Sequence, residues 1–175
     1  MTATTTVKIE IIEICSTIET LDVFADISYS VGDSVATSMI AAPIVKNSDG
    51  TIVVDPVVTC GFAFSTVDIA FPVGVTMTTD TEITVEGADL TAQAPTTYTL
   101  SYSTTSSQGR TVTATSSVSI EIIEICTTID ALDVFPDISY TICSPAVTSA
   151  IAAPSIRNSD GSIVADPVAT CAFTF

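Results

Sequence analysis

The chain contains a long copy of part of itself. The segment VKIEIIEICSTIETLDVFADISYS beginning at Val7 returns as VSIEIIEICTTIDALDVFPDISYT beginning at Val118, an offset of 111 residues, and the register then holds without a gap to Phe175. Residues 1–64 and 112–175 share about 40 identities in 64 positions. A period of this length has the size of a whole domain and exceeds the 20–50 residues of a solenoid repeat, so each period is expected to be a self-contained module. The sequence carries one complete period and the first part of the next.

Strand signals run throughout: alternation with a period of two, many Thr, Val and Ile residues, and turn clusters such as NSDG and SSQG. An all-β fold without helices is expected. In 110–122 the even positions Val112, Ala114, Val118, Ile120 and Ile122 form an inward face, while Thr111, Thr113, Thr115, Ser119 and Glu121 face out. The phase flips between Ile122 and Ile123, and again between Ile11 and Ile12 in the first copy. These flips divide the chain into the final strand of a preceding module (1–11), one complete module (12–122) and the first half of the next (123–175). Neither Gly nor Pro stands at the junction, which predicts a short, stiff connection. The two NSDG sequences read as hairpin turns before a strand.

Tyr98, Leu100 and Tyr102 alternate onto one face, Gly109 closes a small-residue turn, and Val112 to Ile122 form a Thr/Val-rich last strand. This ending resembles the last two strands of tandem extracellular Ig-like modules of the HYR and cadherin-like kind. The module start, with a Cys in the first strand, then DISYSVGDS and a second Cys, is similar to Ig-like repeats of large microbial cell-surface proteins. The resemblance implies tandem Ig-like β-sandwiches in an extracellular setting, with Tyr98 where such sandwiches often place a corner tyrosine or else a plain core residue. It implies no specific activity.

Cysteine spacing carries the clearest chemistry. Cys15 to Cys60 and Cys126 to Cys171 are each separated by 45 residues, which predicts two intradomain disulfides and an oxidising compartment rather than buried free thiols. Cys143 replaces Gly32 of the first copy and is left over, either as a thiol that joins another subunit or as an inert one. Carboxylates flank the junction: Glu121 and Glu124, then Asp130 and Asp133, are the candidates for a Ca2+ site of the kind that rigidifies modular arrays, against a reading as solvated surface charge. No other cofactor is implied.

Charge and composition exclude several classes. With 20 acidic residues against 4 basic ones the net charge is −16, which leaves no footprint for nucleic acid or an anionic membrane. No apolar run is long enough to insert in a membrane, and no basic-then-apolar leader is visible, so a secreted chain would be a mature or partial product. There is no His, hence no usual general base and no common transition-metal ligand, and an enzyme is not expected. Asn47 and Asn158 are each followed by Ser-Asp and lie in no sequon; the abundant Ser and Thr suit O-glycans and plain strands alike.

These features together predict a structural segment of an extracellular filament or cell-surface fibre that self-associates with copies of itself. The alternative is an adhesin that binds a glycan or protein through module loops; an adhesin tip unlike its stalk is not visible, since the two copies are so similar. The second copy lacks a counterpart of 65–122, which would leave Ile129, Leu132, Ile151 and Phe173 wet. The expected resolution is a longer tandem protein, ahead of strands donated by a neighbouring subunit.

Overall fold

The computed structural model describes residues 4–19, 21–131, 133–151 and 154–172. Its elements, in chain order, are β1 (Thr17–Ile18), β2 (Ile27–Ser30), β3 (Ala36–Met39), β4 (Val45–Lys46), α1 (Pro56–Cys60), β5 (Ala63–Val67), β6 (Val75–Thr79), β7 (Glu82–Val85), β8 (Gln93–Thr105), β9 (Thr111–Ile123), β10 (Thr128–Ile129), β11 (Ile156–Arg157) and α2 (Pro167–Cys171). The chain is therefore all-β in character.

The central feature is the hairpin of β8 and β9, each 13 residues long and paired antiparallel from Thr105–Thr111 back to Gln93–Ile122. Alternation decides which side is buried. Tyr98, Leu100 and Tyr102 on β8, and Val118, Ile120 and Ile122 on β9, are all 2% exposed or less. The turn closes at Gly109, whose φ of +78° suits a residue without a Cβ, and its N–H donates to the Ser106 carbonyl at 2.8 Å. The ladder slips between Gln93 and Thr96, where Pro95 has no N–H to offer.

On its other edge β9 pairs with β2, and this pairing is parallel, with Ile27 opposite Ile120 and Ser30 opposite Ile123. With β5 on the far side of β8, the four-stranded sheet runs β2-β9-β8-β5. A second sheet, β3-β7-β6, contributes Ile83, Val85 and Val75 to the same hydrophobic cluster as Ile27, Leu100 and Ile120. One core thus lies between contributions from both sheets. Gly74 is needed there, because a Cβ at its φ of +80° would meet Leu90 Cδ2 at 2.2 Å and the Glu86 carbonyl at 2.5 Å. Buried tyrosines satisfy their hydroxyls on backbone or amide groups. Tyr102 donates to the Asp80 carbonyl at 2.7 Å, and Tyr98 accepts from Gln93 Nε2 at 2.8 Å.

Two single-turn helices depart from the helix-free expectation. In α1 the Asp55 side chain accepts from the Val58 N–H at 3.2 Å, Pro56 occupies the first turn, and Gly61 ends the helix in the left-handed region. Five residues are too few for helical periodicity to show in a sequence. Asp166 and Pro167 repeat the device at α2, which ends at Ala172.

Beyond Ile123, the described residues of the second copy build β10, β11 and α2. Ile129 is 55% exposed and Ile151 is half-buried, while Leu132 and Phe173 lie outside the described residues. Residues 4–12 form no strand, although their sequence repeats that of β9, because a strand needs a ladder partner and none of the described residues supplies one.

Leu100 is fully buried and Val54 is 86% exposed. Leu100→Ala should lower unfolding stability by about 3 kcal/mol and Val54→Ala by less than about 0.5 kcal/mol, read from denaturant midpoints at constant slope.

Candidate functional site

A compact clasp occurs twice, and it is built from the NSDG sequences. In the first copy the Glu13 N–H donates to Ser48 Oγ and the Ser48 N–H returns a bond to the Glu13 carbonyl, both at 2.9 Å. The Cys15 N–H donates to Asn47 Oδ1 at 3.1 Å, and the Ser16 N–H to the Lys46 carbonyl at 2.8 Å. These bonds lead into the β1–β4 pair. Cys15 adopts a φ of +61°, an unfavourable conformation for a residue with a Cβ, and the asparagine contact and the Cys15–Cys60 disulfide hold it there.

The second clasp repeats each part. Glu124 and Ser159 exchange the same two bonds at 2.9 Å, Cys126 has a φ of +61° and donates to Asn158 Oδ1 at 3.1 Å, and Cys126 is joined to Cys171. Inside the loops, Asp49 accepts from Thr51 and Asp160 from Ser162. The hydroxyl and then the N–H of the residue two positions on, Thr51 or Ser162, pull both carboxyls below the ordinary aspartate range. The loops are tight turns, as the Gly50 N–H to Asn47 carbonyl bond and its counterpart from Gly161 to Asn158 show. Asn47, Ser48, Asn158 and Ser159, which the sequence presents as turn formers, close the two clasps. The signal was present in the identical NSDG at one fixed distance after each first cysteine.

The first clasp is also locked to the β8–β9 turn. The Ser107 N–H donates to the Ile14 carbonyl and the Ile14 N–H to Ser107 Oγ, both at 3.0 Å. Arg110 grips the Glu13 carboxylate with two nitrogens, its Nε at 3.1 Å from Oε1. Glu13 is nearly buried, and its carboxyl is held below the usual glutamate range by the Arg110 hydrogen bonds first and a Ser106 contact second, against the opposing effect of burial. At the second clasp Glu124 is exposed and has no cationic partner among the described residues.

The junction carboxylates do not converge. Glu121 accepts from Ser28 Oγ at 3.2 Å, Asp130 is paired with Arg157 Nε at 3.0 Å, and Glu124 and Asp133 are exposed. Among the described residues no three His, Cys, Asp or Glu side chains are grouped to hold a metal ion. Glu121, Glu124, Asp130 and Asp133 are thus not drawn together into one such group. Cys143 is an exposed free thiol with a φ of +75°. No helix of the described residues is long and apolar enough to cross a membrane. What the arrangement does is mechanical: each clasp ties the start of a copy to its own NSDG loop and to a cysteine 45 residues on.

Closing a 45-residue loop stabilises the fold by about 4 kcal/mol on the chain-entropy account, and reduction of Cys15–Cys60 should cost that amount in thermal or denaturant unfolding. Asn47→Ala leaves the Cys15 N–H without its acceptor and should cost about 1–3 kcal/mol. Because the Glu13 carboxyl titrates lower folded than unfolded, its contribution is complete at neutral pH and disappears as pH falls through its folded value. Stability should therefore decline below about pH 4, and less steeply in Glu13→Gln, as followed by acid titration of the unfolding midpoint. No protein-family model, curated protein or solved structure matches the chain, and the functional reading rests on its own geometry.

Proposed function

We propose that the chain is a structural segment of an extracellular filament or cell-surface fibre, made of tandem Ig-like β-sandwich modules with a 111-residue period. The observation that carries this reading is the junction. β9, the last strand of the first module, ends at Ile123, and Glu124 is already the first residue of the second clasp. No flexible residue separates the two. A strand that is bonded on both edges and runs directly into a disulfide-tied clasp transmits tension along the backbone ladder instead of through a loose linker.

Other features agree with a fibre. Two disulfides suit an oxidising, secreted environment. Asp49, Asp68 and Glu13 are engaged by a hydroxyl, a backbone N–H and an arginine, and the absence of His removes the commonest general base. A net charge of −16 keeps such a surface soluble and discourages unspecific contacts.

Negative-stain electron microscopy of the native material tests this. Long fibres of uniform width are expected, with an axial repeat set by one module; isolated particles at high concentration would overturn the fibre reading. Pulling single molecules should give unfolding events spaced by about one module's contour length, shortened by the segment inside each disulfide and restored on reduction.

A further inference from the structure

Two exposed apolar segments of this chain are sequence twins of two strands that pair with each other inside it. Val7, Ile9 and Ile11 are 81%, 80% and 85% exposed. Their counterparts 111 residues later, Val118, Ile120 and Ile122, are the buried face of β9. Ile138 and Tyr140 are 55% and 58% exposed, and their counterparts Ile27 and Tyr29 are the buried face of β2. In the first module β2 and β9 lie side by side, with Ile27 opposite Ile120, Ser28 opposite Glu121, Tyr29 opposite Ile122 and Ser30 opposite Ile123.

The acceptor segment already has its partnered shape at one end. In the first copy the Tyr29 hydroxyl donates to the Asp33 carbonyl at 2.9 Å and the Asp33 N–H to the Ser30 carbonyl at 3.0 Å. In the second, the Tyr140 hydroxyl donates to the Ser144 carbonyl and the Ser144 N–H to the Thr141 carbonyl, both at 3.0 Å. The same turn is formed without the strand that normally lies beside it.

The two segments are not paired with each other within one chain. Residue 13 is fixed to Arg110 at the turn end of β9, whereas the second copy starts at the opposite end, beyond Ile123. Thirteen residues of strand separate those ends by about 40 Å. Residues 7–12, extended from the turn end, cover about 20 Å, half of that separation.

We infer that residues 7–12 of one chain dock as a parallel strand on Ile138–Thr141 of a second copy, in the register Ile9 opposite Ile138, Glu10 opposite Ser139, Ile11 opposite Tyr140 and Ile12 opposite Thr141, and so link copies head to tail. This deepens the fibre reading and rests on it. A donor segment and a different acceptor segment on the same chain make a heterologous contact, which propagates as an open filament when the rotation does not close. The ladder fixes direction and register, and alternate side chains provide specificity, as in strand addition to a sheet edge. The existing Ser28–Glu121 hydrogen bond of 3.2 Å predicts an equivalent bond from Ser139 to Glu10.

The test is a register-specific covalent trap with the full chain. In a Cys143→Ser background, Glu10→Cys protein is mixed with Ser139→Cys protein and mildly oxidised, beside a mixture of Glu10→Cys with Thr141→Cys, two residues out of register. The in-register mixture should give severalfold more covalent dimer; equal yields would overturn the inference. Separately, Ile9→Lys with Ile11→Lys should weaken association by about tenfold or more in sedimentation velocity while leaving the unfolding midpoint of the first module unchanged, since these side chains are exposed there. Fibres that persist undiminished in that variant would overturn this contact and leave the fibre reading standing. A wild-type chain that stays monomeric up to about 1 mM would overturn both.

Discussion

The main core of the chain depends on β9 being bonded on both edges. On one side it holds β8 through a ladder from Thr111 to Ile122, and on the other it holds β2 in parallel. Because β2 comes early in the chain and β9 late, this parallel pair closes the core in sequence as well as in space. It brings Ile27 and Tyr29 against Ile120 and Ile122 across more than ninety residues. The long loop that this closure spans is entropically costly. The Cys15–Cys60 disulfide shortens the first part of that loop, and the Glu13–Arg110 pair joins residues 97 apart.

The same dependence explains the contrast between the two copies. Phe24 is 1% exposed and its counterpart Phe135 is 60% exposed, with no change of residue type. Tyr29 and Tyr140 differ in the same way. Sequence is thus sufficient for the clasp, whose bonds lie within one copy's first half, and insufficient for the strand that follows, whose burial is supplied by β9. Local hydrogen bonds and a disulfide form what they reach; the hydrophobic face waits for a partner sheet.

Alternation made β8 and β9 legible in the sequence, since period-two burial from Tyr98 to Tyr102 and from Val118 to Ile122 follows from strand geometry alone. Equal spacing made the two cysteine pairs legible. The helices at Pro56 and Pro167 were not, because one turn carries no period, though Asp-Pro followed by a cap is a readable start. Nor was the role of Asn47. Its side chain serves the Cys15 N–H, a bond between residues 32 apart whose need arises from a backbone φ that no composition reveals. The parallel sense of β2 against β9 was likewise hidden, since alternation fixes a face and not a direction. The dispersal of the junction carboxylates has a related reason. Proximity in sequence to a junction does not aim carboxylates at one point, and Glu121 and Asp130 are each engaged by a neighbour on their own strand pair.

The acidity of the chain then limits how its apolar segments can be satisfied. Val7, Ile9 and Ile11 alternate with Lys8 and Glu10, so the segment presents an apolar face only when extended as a strand, with its charged residues on the other face. Two copies that each carry −16 repel at long range, and a loose hydrophobic encounter gains too little to overcome that repulsion. A strand addition differs because backbone hydrogen bonds and alternate apolar contacts form together and only in one register. Charge therefore selects against adventitious association of the exposed segments while leaving the registered one available, a form of protection that exposed sheet edges require.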